Sequence, residues 1–109
     1  VKQHHIGMGQ LTNYGKAFKA FGNTYSSALT KDTTLLILGD ALNNYIDPQV
    51  EDFKYMTEKV QRTIWLNPEQ EKYWYSAGSA IMDYKPYCTK LVECATVEQL
   101  SEFARPLVL

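Results

Sequence analysis

The chain has 109 residues, 45% hydrophobic and 21% charged, which suits one small globular domain and excludes a disordered polypeptide. A net charge of −1 and a pI near 6.1 leave no electrostatic footprint for nucleic acid or an anionic membrane. No signal peptide and no apolar run near 18 residues are found. Cys88 and Cys94 do not make a disulfide framework and read as reduced, buried thiols of a cytosolic protein. The sequence starts at Val1 rather than Met, and is expected to be a processed or excised piece of something longer.

Val1 to Ile6 carries His4 and His5 and reads as a strand end or linker. No further metal ligand lies nearby. Gly7 to Asn13 is a glycine-bearing loop, with Thr12 or Asn13 placed to cap a helix. Tyr14, Phe18, Phe21, Tyr25 and Ala28 then follow at helical spacing, one apolar stripe over roughly four turns. Gly15 and Gly22 each weaken such a helix by about 1 kcal/mol, which points to close packing at both positions. The GxG of this loop lacks the spacing of a phosphate-binding motif.

Thr33 to Leu38 holds four consecutive large apolar residues and runs into Gly39 and Asp40. That pattern predicts a strand buried on both faces in a parallel sheet. Asp40 falls just past the carboxyl end of the strand, where open α/β sheets place their ligands. Desolvating its charge is costly, so it needs a partner, and a hard cation is the first candidate. Asp47-Pro48 predicts a helix start with Asp as N-cap and Pro at the first helical position. Val50, Phe53, Met56 or Thr57, and Val60 form its stripe.

Arg62 to Leu66 reads as the next strand, parallel to the first because one helix fills the interval between them. Glu69 to Ala77 clusters Tyr73, Trp74 and Tyr75, either a binding platform or packing at the sheet edge. Lys90 to Cys94 is a third short strand. Thr96 and Gln99 have the capping-box form, and Val97, Leu100 and Phe103 are expected to face inward until Pro106 ends the helix. The order α-β-α-β-(α)-β-α reads as the second half of a doubly wound domain.

The segments LLILGDALNNY, DP, IWLNPE, PYC and the final EQL-F, with GQLTNYGKAF before them, resemble the carboxyl-terminal half of the von Willebrand factor A-like (VWA) domain of CoxE-type proteins, over about residues 7 to 107. The resemblance implies a Rossmann-like, three-layer α/β/α fold with a parallel sheet, incomplete here at about three strands and four helices. Residues 1–109 are then the C-terminal part of a single VWA-like domain, without its N-terminal strands. It further implies a metal-ion-dependent adhesion site for Mg²⁺ or Mn²⁺. Thr12 stands at the position of that site's Thr and Asp40 at that of its later Asp. The Asp-x-Ser-x-Ser loop that completes such a site does not occur anywhere in this chain.

By the same resemblance the protein is a cytoplasmic, non-catalytic accessory factor. It would engage a protein partner, a MoxR-type AAA+ ATPase, in protein remodelling or metalloenzyme maturation. Two alternatives stay open. One is an inactive structural fragment that self-associates or docks on its missing half. The other is a small phosphohydrolase-like enzyme, with Asp40 near His4 or His5.

Overall fold

The computed structural model describes residues 2–7, 13–43, 46–75 and 78–105, with 2–7 described as backbone only. Four strands form one sheet: β1 (Lys2–Gly7), β2 (Thr33–Leu38), β3 (Arg62–Asn67) and β4 (Lys90–Glu93). They lie in sequence order and every neighbouring pair is parallel. The fold is α/β, and three of the four strands are those expected. The fourth, β1, occupies the stretch read as a strand end or linker, and pairs along its whole length with β2. Pairing with a buried neighbour supplies what its own mixed pattern, with two histidines, does not announce.

Helices α1 (Tyr14–Thr24), α2 (Val50–Lys59) and α3 (Ile81–Tyr84) lie between successive strands. In a sequential parallel sheet, crossovers of one hand all fall on one face. That face holds the main core. Leu35, Ile37 and Trp65 alternate onto it from β2 and β3 and meet Tyr14, Phe18, Phe53, Met56 and Tyr84. Its centre is aromatic: Trp65 stacks on Tyr84 with ring centroids 5.3 Å apart, and Phe18 meets Phe53 at 4.8 Å. Each such ring contributes a few kcal/mol through burial, and about 1 kcal/mol more through ring geometry.

The opposite face of the sheet presents Leu36, Ile64 and Leu66, and is covered by Phe103 of α4 (Val97–Ala104). The capping box forms as expected, with Thr96 accepting from the Gln99 amide and Gln99 bonded back to the Thr96 backbone. The expected inward face of α4 does not. Val97 is 80% exposed and Leu100 44%, because a helix of eight residues on this face seats only Phe103. Pro106 lies outside the described residues.

The start of α2 also departs from expectation. Asp47 accepts from the Gln49 amide at 2.9 Å, which closes a turn around Pro48 instead of capping the helix. Gln49 takes a left-handed conformation (φ 48°) and the helix begins at Val50. Two contacts force this. The Tyr84 hydroxyl donates to the Pro48 carbonyl at 2.7 Å, and the 47–49 backbone lies directly against Gly15 of α1.

The first helix starts at Tyr14 with Asn13 as its cap, accepting from the Lys16 amide at 2.9 Å. It runs three turns, not four, and a 3₁₀ turn at Ser26–Ala28 follows. Both its glycines mark close approaches. A Cβ at Gly15 would lie 2.7 Å from the Asp47 carbonyl oxygen, and one at Gly22 would lie 3.3 Å from the flexible Met56 side chain. Gly15→Ala should therefore destabilise the protein by about 1–3 kcal/mol through backbone displacement. Gly22→Ala should be neutral or stabilise by up to about 1 kcal/mol, because helix propensity offsets a small shift of Met56. Urea unfolding of the two variants checks this; equal losses would contradict it.

Candidate functional site

At the carboxyl end of the sheet, β2 stops because Gly39 is clamped to its neighbour. Its amide donates to the Leu66 carbonyl at 3.1 Å, and its carbonyl accepts from the Trp65 indole at 2.7 Å. Trp65 is fully buried, so its N–H needs that acceptor. Asp40 follows, half-buried. Ala41 then takes φ 61° while fully buried, a conformation that non-glycine residues adopt at a cost.

Neighbouring segments hold that turn in place. The Ala80 amide donates to the Ala41 carbonyl at 2.8 Å, and the Asn43 amide to the Gly78 carbonyl at 2.7 Å. Leu42 and Ser79 thus form an antiparallel bridge. Asn43 is buried, and its side chain is spent on both sides. Its Oδ1 accepts from the Tyr14 amide at 2.8 Å, and its Nδ2 donates to the Ile46 carbonyl at 2.7 Å. The Tyr14 amide is one of the N–H groups that a helix start leaves without an internal acceptor. Asn43 therefore joins the start of α1 to the turn after β2.

Asp40 is oriented by the same helix. The Tyr14 hydroxyl donates to its Oδ1 at 3.0 Å, and the Leu42 amide donates to that oxygen at 3.0 Å. Burial, reinforced by the Asp40 charge, raises the Tyr14 phenol far above its ordinary range and keeps it a proton donor. The other carboxylate oxygen takes no hydrogen bond from a described residue. Of the two expected ligands, Asp40 stands where the sequence placed it, at a loop converging with the start of α1. Thr12 lies outside the described residues.

The sequence reading missed Tyr14 and Asn43. Tyr14 was one more residue of an apolar stripe, and Asn43 only part of the segment LLILGDALNNY. Their roles arise from contacts 26 and 29 residues apart, which no local spacing carries. The aromatic cluster divides. Trp74 is packing, buried with its indole donating to the Glu69 carbonyl at 2.9 Å, whereas Tyr73 and Tyr75 are exposed.

A divalent cation such as Mg²⁺ takes about six oxygens. Among the described residues no three His, Cys, Asp or Glu side chains gather to hold a metal. Asn43 is already committed, so the turn after β2 offers the second oxygen of Asp40. That turn does not by itself complete a cation site. The register also separates Asp40 from the histidines. His5 pairs with Leu36, four residues and about 13 Å along the strand direction before Asp40.

A family model for VWA domain containing CoxE-like protein matches residues 2–103. No curated protein and no solved structure matches the chain. Among the described residues no helix is long and apolar enough to cross a membrane.

Two expectations follow from the packing of this turn. Asn43→Ala removes both bonds of a buried side chain and strands the buried Tyr14 amide. It should cost about 2–4 kcal/mol in urea unfolding; a loss under 1 kcal/mol would contradict the bracing role. The second concerns alkaline pH. Tyr14, Tyr84 and Cys88 are all shifted upward mainly by burial, Cys88 to about 12. The folded state then favours their neutral forms, while the unfolded chain ionises at ordinary values. Their contribution is fully present below about pH 8.5–10 and is lost as pH rises further. Stability measured from pH 7 to 11 should be flat at first and fall beyond about 9; a rise would contradict it.

Proposed function

Because this chain belongs to the family of VWA domain containing CoxE-like proteins, we propose that it is a non-catalytic protein-binding module whose contact surface is the carboxyl end of β2 around Asp40. One observation carries this reading: Asp40 is fixed through a single oxygen by Tyr14 and the Leu42 amide. The carboxylate is thus oriented in advance, and its ordering cost does not fall on the binding step.

In this reading Asp40, with Thr12, contributes to a Mg²⁺ or Mn²⁺ site that the described residues do not complete. The further oxygen ligands come from water and from a polypeptide segment that carries the Asp-x-Ser-x-Ser loop. When bound, the cation supplies an electrostatic bridge to an acidic group of the partner. The partner is proposed as a MoxR-type AAA+ ATPase in the cytoplasm, working in protein remodelling or metalloenzyme maturation, an assignment resting on family analogy. Self-association is a second reading, favoured by the exposure of Val97 and Leu100 on α4.

In the intact protein, Asp40→Ala should abolish ATPase binding that depends on divalent cation and reduce it to the level seen with EDTA. Tyr14 keeps the ring that packs in the core, so the variant should stay folded. Binding that persists unchanged in Asp40→Ala would refute the site. If a pair of charged substitutions at Val97 and Leu100 removed binding and Asp40→Ala did not, the α4 surface would be the contact.

A further inference from the structure

Beside Asp40 lies a cleft of about 260 Å³ lined by Asp40, Leu42, Glu69, Tyr73, Trp74 and Ser79. It is smaller than the roughly 300–1,000 Å³ of sites that enclose a whole small-molecule ligand. Its size suits one long side chain. The walls combine two carboxylates with two aromatic rings and an aliphatic side chain, and no lysine or arginine is among these lining residues.

The walls are held from behind. Trp74 is fixed through its indole to the Glu69 carbonyl at 2.9 Å, and Leu42 is bridged to Ser79. The segment carrying Tyr73 is anchored further out, where the Glu71 amide donates to Glu93 at 3.0 Å. Glu93 is itself bound by Gln99 at 3.1 Å. Hydrogen bonds from Gln99 and the Glu71 amide favour its ionised form and hold its carboxyl below the usual range. Tyr73 already attracts a cation, since the Lys72 ammonium lies 5.1 Å from its ring centroid.

We propose that this cleft receives an arginine side chain of a partner polypeptide, its guanidinium paired with Asp40 and Glu69 and its stem lying on Leu42 and Trp74. Charge complementarity selects a cation. The aromatic walls select arginine, because a planar, weakly hydrated guanidinium stacks on rings and forks to carboxylates. This inference does not rest on the cation reading: Glu69, Tyr73, Trp74 and Ser79 have no part in that site, and arginine binding needs no metal.

The test is an amide and indole NMR titration of the full chain with N-acetyl-arginine amide in EDTA, with N-acetyl-citrulline amide as the neutral isostere. The expected result is saturable shifts at the Trp74 indole and the Glu69 amide, with citrulline about tenfold weaker for want of the charge-assisted bonds. Glu69→Gln, at an exposed position that leaves the core intact, should weaken arginine about two- to fivefold. Equal binding of citrulline, or shifts that map away from these residues, would overturn the proposal. Because no divalent cation is present, failure here leaves the Asp40 cation reading untouched, and failure of that reading leaves this one standing.

Discussion

A strand of buried apolar residues that ends in a charged side chain must do two things at once. It must stop the ladder without orphaning backbone groups, and it must keep the charge partly in water. The turn after β2 does both through polar groups that belong to other segments. Gly39 is bonded from two sides by β3, and Asn43 satisfies the first amide of α1 and the carbonyl of Ile46. Buried amides without such partners would each cost one to several kcal/mol. The start of α1, the turn and the 78–80 segment are therefore fixed together, and the position of Asp40 depends on all three.

The same logic places the chemistry on the molecule. With strands in sequential order, the crossovers fill one face and the second is left to a short α4. The carboxyl end is where loops from β2 and β3 meet. Asp40 comes from one and the Glu69–Trp74 wall from the other. The cation reading and the arginine cleft thus draw on the same preorganised carboxylate. Binding at this end needs little rearrangement of the fold, since the turn is braced before any ligand arrives.

Much of this architecture was legible in the chain. The unbroken run Leu35–Leu38 declared a strand buried on both faces, which holds as far as Ile37 while Leu38 is exposed, and the Thr96–Gln99 spacing declared the cap of α4. Gly15 and Gly22 declared the close packing of α1. What escaped the reading was long-range. Lys2–Gly7 is a strand because β2 offers it an edge. Asp47 fails to cap α2 because Tyr84 and Gly15 hold the next two residues. Val97 and Leu100 have the spacing of a buried stripe, but too little sheet lies beneath them. Tyr14 looked like core, and it is; its hydroxyl also serves Asp40. No local pattern distinguishes those two uses of one side chain.

Asp40 is held for binding by its bond to Tyr14, and a double-mutant cycle measures that bond most directly. Tyr14→Phe, Asp40→Ala and the double variant would be unfolded in urea at neutral pH beside the parent protein. Both single changes leave the core aromatic ring in place. A hydrogen bond to a carboxylate in this half-buried setting predicts a coupling of about 1.5–3 kcal/mol. A coupling near zero would mean that Tyr14 does not hold Asp40, and the claim that this carboxylate is fixed for binding would fall.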